Sequence, residues 1–181
     1  MAIVKSSKNK ATIGPLDDLI RLKDEFDSFR EDYLNEGELE NYRERVLEFA
    51  KDFQAFVVKQ TDLMLGYFQL NREDDYELVQ PLYTAVICET LAERKGMNVE
   101  ERLSIIAASL THDIGMHTLR DVLKYQVAPL SPDQLADLKL HPLRSVKLLR
   151  NAGVRDRVWL DSVKQHHERM DGSGYPQGLK G

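Results

Sequence analysis

From Leu16 to Tyr33, apolar side chains recur at Leu16, Leu19, Ile20, Phe26, Phe29 and Tyr33 with charged residues between them. This spacing is close to one helical turn and predicts an amphipathic helix. After Asn35-Glu36-Gly37, the series Leu39, Tyr42, Val46, Phe49, Phe53, Phe56, Val57, Met64 and Phe68 predicts a second, longer helix. Its aromatic stripe needs a covering surface, either inside the monomer or across a two-fold axis. Beyond the polar Asn71–Asp75 cluster, Leu82, Val86, Leu91 and Ala92 mark a third helix that stops near Gly96. A fourth begins around Val99. Its segment Ser104–Leu110 is small and apolar on every side, as expected of a central helix, and it delivers Thr111-His112-Asp113 at its end before Gly115.

Ser131-Pro132-Asp133 is a helix start, from which a helix is expected over about 133–150 and another over about 155–168. No alternating β-branched segment of strand length stands out, so the expected fold is all-α. The chain divides into a flexible leader over 1–15, ending at Gly14-Pro15, an N-terminal helical region over 16–69 and a helical domain over 70–181.

The 181 residues, 42% of them hydrophobic and 30% charged, are enough for a full core. A single cysteine, Cys88, excludes an internal disulfide and fits a reducing, cytoplasmic setting. No apolar run has the length of a membrane span or of a signal peptide. The net charge of −5 argues against DNA or RNA as a general partner. The imbalance is uneven: residues 1–71 hold 10 basic and 14 acidic side chains, whereas residues 113–181 hold 11 and 8. The second stretch is therefore suited to a phosphorylated small molecule.

The candidate chemistry lies in that stretch. Of five histidines, His112, His141, His166 and His167 sit on or beside predicted helices, with Asp113 next to the first. Helical bundles build metal sites by converging such side chains from separate helices. Taken singly, His112-Asp113 reads equally well as a satisfied core pair. Consecutive His166 and His167 diverge by about 100° around a helix and share one target only near a helix end. The glycines that follow, around Tyr175-Pro176, form a tight loop.

Three separated strings, His112-Asp113-Ile114-Gly115, His141-Pro142 and His166-His167-Glu168 continuing to Asp171-Gly172-Ser173-Gly174-Tyr175-Pro176, resemble the HD-GYP family of bacterial cyclic di-GMP phosphodiesterases. The resemblance covers about 70–181. It implies a helical HD-superfamily core preceded by an N-terminal extension that senses a signal, dimerises or meets a signalling partner. It further implies hydrolysis of cyclic di-GMP to pGpG or GMP by a centre of two or sometimes three divalent metal ions, often iron; for this chain one or two ions, iron or manganese, are expected. By the same resemblance His112, Asp113, His141, His166 and His167 fall on metal ligands. His112 and Asp113 also form the catalytic pair, and Gly174, Tyr175 and Pro176 border the substrate. Imidazole and carboxylate suit such metals, and paired ions can activate water while polarising a phosphate.

Three departures accompany the resemblance. Gln80 stands where the family usually has a histidine ligand, and Met116 stands where it has a lysine. The sequence ends at Gly181, before a further aspartate ligand is expected. One metal position is therefore expected to be better furnished than the other. The alternatives are an HD-GYP phosphodiesterase, a degenerate module that binds metal, nucleotide or a partner without hydrolysis, and an HD-type phosphohydrolase acting on another nucleotide.

Overall fold

A computed structural model describes residues 14–36 and 41–181. The leader expected over 1–15 lies mostly outside these residues, as does Leu39 of the expected second helix. The described residues form eight α-helices and one 3-10 turn, with no strand beyond an isolated bridge between Asp171 and Lys180. The all-α expectation is met.

Helix α1 (Pro15–Glu36) starts with proline at its first position and with Asp17 and Asp18 in its first turn, where free N–H groups favour both. Its Leu19, Leu22, Phe26 and Phe29 are buried. Helix α2 (Tyr42–Leu70) bends at Gln60, whose backbone is non-helical. Phe49 and Phe53 of its stripe are buried inside the chain. Phe49 lies against Phe26 with ring centroids 5.6 Å apart, Phe29 stacks on Tyr42 at 4.9 Å, and Phe56 is half-buried. Burying large aromatic faces against each other is the main source of cohesion between α1 and α2.

Helix α3 (Tyr76–Arg94) ends in a Schellman closure: the Met97 N–H reaches the Ala92 carbonyl at 3.1 Å and Gly96 takes a φ of 72°. Helix α4 (Val99–Thr111) is capped by the Asn98 side chain, and every residue from Ile106 to Thr111 is buried. It is the central helix that its composition predicts, packed on α2, α3 and α8. One hydrophobic cluster runs from Leu19 of α1 to Val163 of α8.

After α4 the chain makes the 3-10 turn Ile114–Met116 and helix α5 (His117–Leu123), an element absent from the sequence reading. The expected helix over 133–150 is two helices, α6 (Pro132–Lys139) and α7 (His141–Asn151). The break follows from Pro142, which has no N–H to give the Leu138 carbonyl four residues earlier. Helix α8 (Arg157–Gln165) opens on an Asp156 cap and ends at Gln165, three residues short of the expected end, with His166 as its C-cap. No helix of the described residues is long and apolar enough to cross a membrane.

Candidate metal centre

His112, His141 and His166 are positioned by one repeated device. Each follows a helix end and turns its ring back to the carbonyl three residues earlier: His112 Nδ1 to Ser109 O, His141 Nδ1 to Leu138 O and His166 Nδ1 to Val163 O, all at 2.7 Å. The final turn of a helix leaves such carbonyls without backbone donors. At Leu138 the vacancy is the one that Pro142 creates. A carbonyl only accepts, so each Nδ1 carries the proton and each neutral ring presents its Nε2 lone pair.

Those lone pairs converge on Asp113, which stands between α4 and the 3-10 turn. His141 Nε2 is 3.2 Å and His166 Nε2 3.6 Å from Asp113 Oδ1, and the two Nε2 atoms are 3.0 Å apart. His167 joins from the turn after α8, its ring 4.2 Å from that of His166. Donor atoms of Asp113, His141, His166 and His167 all lie within 4.8 Å of one another. Facing lone pairs repel unless a proton or a cation lies between them. With the Nδ1 protons already committed to carbonyls, three imidazoles and a carboxylate fit a divalent transition metal.

His112 stands beside this group. Its Nε2 is 3.5 Å from Asp113 Oδ2 and 3.3 Å from Gln80 Nε2. The Gln80 amide nitrogen also reaches Thr84 Oγ1 at 3.3 Å, so Gln80 donates toward the His112 lone pair instead of offering its oxygen to the site.

Electrostatics follow the same geometry. Burial opposes the charged form of Asp113, but the close approach of His141 and His166 outweighs it, holding the carboxyl well below the usual carboxylate range. Burial lowers His112, against the pull of Asp113. Burial and repulsion from His166 and His141 push His167 down to about 4. Burial thus favours the neutral, metal-ligating form at His112 and His167.

The glycine-rich segment folds over this group. The Tyr175 ring stacks on His167, with centroids 4.5 Å apart and planes inclined by 21°. The loop is held by Glu168, whose carboxylate accepts the N–H groups of Gln177 at 2.6 Å and Leu179 at 2.9 Å. A Cβ at Gly174 would lie 2.5 Å from the His167 carbonyl and the Arg169 nitrogen, so only glycine lets the loop approach. Burial and the Asp113 charge push the Tyr175 phenol up, keeping it a neutral donor. Beside the histidines a cleft of about 500 Å³ opens between α3, α4 and α8, lined by Gln80, Thr84, Cys88, Ile105, Ser109 and Ser162 among others.

The structure therefore gathers all of the expected ligands at one place, with His112 at its edge, and sets Tyr175 above them. It also adds a residue that the sequence reading passed over: Arg120 of α5, whose Nη2 lies 3.3 Å from Asp113 Oδ2. Its only signal in the sequence is a basic residue seven positions after the aspartate.

The profile of the HD domain family matches residues 67–181. The chain is 35% identical over 98 residues to the 3′3′-cGAMP-specific phosphodiesterase 1 of Vibrio cholerae, covering 54% of this chain and 22% of that protein. It is 36% identical over 92 residues to the cyclic di-GMP phosphodiesterase response regulator RpfG of Xanthomonas campestris, covering 50% and 24%. It thus spans about a quarter of the length of these relatives. Among solved structures, Bd1817, an HD-GYP-type protein from Bdellovibrio bacteriovorus, superposes with a TM-score of 0.71 at 19% identity, covering 97% of this chain and 56% of that one. The shared fold includes the N-terminal helices. The profile match extends over the histidine and aspartate positions as well as the Gly-Tyr-Pro loop, and on that basis the chain belongs to the HD domain family.

Proposed function

We propose that this chain is the catalytic part of an HD-GYP-type phosphodiesterase that hydrolyses cyclic di-GMP in the bacterial cytoplasm. The observation that carries the reading is the convergence of Asp113, His141, His166 and His167 within 4.8 Å, beneath the ring of Tyr175. The names of the relatives, phosphodiesterases of cyclic di-GMP and cGAMP, support the substrate class.

In this reading Asp113, His141, His166 and His167 hold a divalent ion, iron or manganese, with His112 beside them. Such an ion supplies Lewis-acid polarisation of a phosphoryl oxygen and acidifies water at neutral pH. The reaction joins a water oxygen to phosphorus and breaks the bond from phosphorus to the ribose 3′ oxygen, which leaves with a proton. The linear product is pGpG, and a second cleavage gives GMP. Nδ1 bonds from His112, His141 and His166 to backbone carbonyls fix the rings before substrate arrives, so no reorientation is needed during the reaction. Tyr175, with Gly174 and Pro176, offers a flat ring and a neutral hydroxyl at the edge of the site, suited to a base or a phosphate oxygen. The adjoining cleft has the size of a nucleotide-scale ligand.

A second reading, a module that binds metal or nucleotide without hydrolysis, is favoured by one observation: the Gln80 amide occupies the His112 lone pair. Metal content and cyclic di-GMP turnover, measured on anaerobically purified chain supplied with iron or manganese, separate the two. Bound metal with release of pGpG or GMP is the expected result. Bound metal without turnover would establish the binding module, and a chain that takes up no metal would overturn the metal-dependent phosphodiesterase.

A further inference from the structure

Asp113 presents two oxygens to two different surroundings. Oδ1 faces His141 and His166. Oδ2 faces away from them, toward His112 at 3.5 Å and toward the Arg120 guanidinium at 3.3 Å. Arg120 is itself anchored: its Nη1 lies 3.4 Å from Glu77 Oε2 of α3, and the same oxygen lies 3.5 Å from Arg30 Nη1 of α1. Arg30 in turn pairs with Asp27 at 2.8 Å. Arg30, Glu77, Asp113 and Arg120 line a small cavity of about 40 Å³ between these helices, and the guanidinium is tied by a carboxylate on either side.

We propose that Arg120 is a fixed cation on the outer oxygen of Asp113, which makes this a single-ion site with Asp113 as a ligand to that ion alone. The inference rests on the metal-centre reading above and says how many ions that centre takes. A second divalent ion on the outer side of Asp113 would draw on Oδ2 and on His112 Nε2. Both donors are already engaged, the first by a permanent positive charge that is never released near neutral pH and the second by the Gln80 amide. An entering cation would also meet the guanidinium's repulsion at close range. Arg120 is thus a positioning residue: it neutralises one half of the carboxylate and fixes its plane, leaving Oδ1 for the histidine side.

The test is metal stoichiometry, read by elemental analysis and by Mn2+ titration calorimetry, with circular dichroism as a check on the fold. The proteins are the wild-type chain, Arg120→Lys, and the double variant Gln80→His/Arg120→Ala. Wild type and Arg120→Lys are expected to bind one ion per chain. The double variant, which frees Oδ2 and adds an imidazole, is expected to bind two. A wild-type chain holding two ions overturns this inference and leaves the metal centre standing. A double variant that keeps its helicity and its first ion yet takes no second one likewise overturns it. A wild-type chain that binds no ion removes the metal centre and the inference together.

Discussion

The hydroxyl of Ser145, fully buried in α7, accepts the N–H of Gly115 at 2.9 Å and donates to the carbonyl of His112 at 2.7 Å. One side chain thereby ties the helix that follows His141 to both sides of the His112-Asp113 turn. Ser145→Ala leaves a buried N–H and a buried carbonyl short of a partner. It is expected to cost about 1–3 kcal/mol in urea unfolding and to weaken metal binding, because His141 and Asp113 lose their shared reference.

Gly115 sits on the other side of this contact without room for a side chain. A Cβ there would lie 2.6 Å from the Ser145 nitrogen and 2.7 Å from the His141 carbonyl. Gly115→Ala must push α7 outward, and a loss of about 1–3 kcal/mol is expected together with reduced metal uptake. Unchanged thermal unfolding and unchanged uptake would show that the two elements are not rigidly coupled.

His141→Ala and His166→Ala should each lower bound metal per chain at least tenfold at limiting metal while leaving the helical circular dichroism near that of wild type. The two residues turn their Nε2 atoms to one point, 3.0 Å apart, and both stand at helix ends, outside the hydrophobic core cluster. Metal content that survives either change would place the ion elsewhere.

Glu89 of α3 is nearly inaccessible, with 1% of its surface exposed, and Arg102 of α4 reaches it at 2.8 Å while the Gln54 amide of α2 donates to its other oxygen at 3.2 Å. Burial raises the Glu89 carboxyl, and Gln54 and Arg102 work against that rise. Arg102→Ala would strand a buried carboxylate and is expected to destabilise by about 3–5 kcal/mol. Replacing both by methionine should cost far less than the single change. Equal melting temperatures for the single and double variants would contradict the pairing.

Asp74 joins the start of α3 to α1 and α2. Its carboxylate accepts from Lys23 Nζ at 2.8 and 2.9 Å, from Asn71 Nδ2 at 2.5 Å and from Tyr67 at 3.3 Å. The Lys23 hydrogen bond is the main cause that holds its carboxyl below the usual value, against a smaller rise from burial. A carboxyl depressed in the folded state stabilises in full above its unfolded value, near about 3.9, and loses that contribution as pH falls through the folded one. Asp74→Asn is expected to cost about 1–2 kcal/mol at pH 7, and the gap to wild type should close as pH drops below about 4. A gap that persists at pH 2 would assign the effect to packing.

The helices α1 to α4 were legible as apolar periodicity, because burying one face of a helix writes its 3.6-residue repeat into the sequence. The end of α3 at Gly96 was legible for a similarly local reason, the αL conformation that glycine accepts. The division at Leu140 was visible in Pro142 but hidden by a periodicity that continues across it. The short α5, whose seven residues contain no apolar repeat long enough to register, was not visible. The sites followed the same rule. The motif strings marked the histidines and the aspartate that the structure brings together.

What the sequence determined by itself was therefore the all-α class and the identity of the candidate ligands, since both depend on neighbours a few residues apart. Only the tertiary structure decided that Gln80 turns its amide to His112 and that the Phe49 and Phe53 stripe closes inside the chain. It also decided that Arg120 reaches the outer oxygen of Asp113 while Glu77, 43 positions away in the chain, holds the other side of its guanidinium. Such contacts join elements distant along the chain, and their geometry is set by how whole helices pack, which no local pattern records.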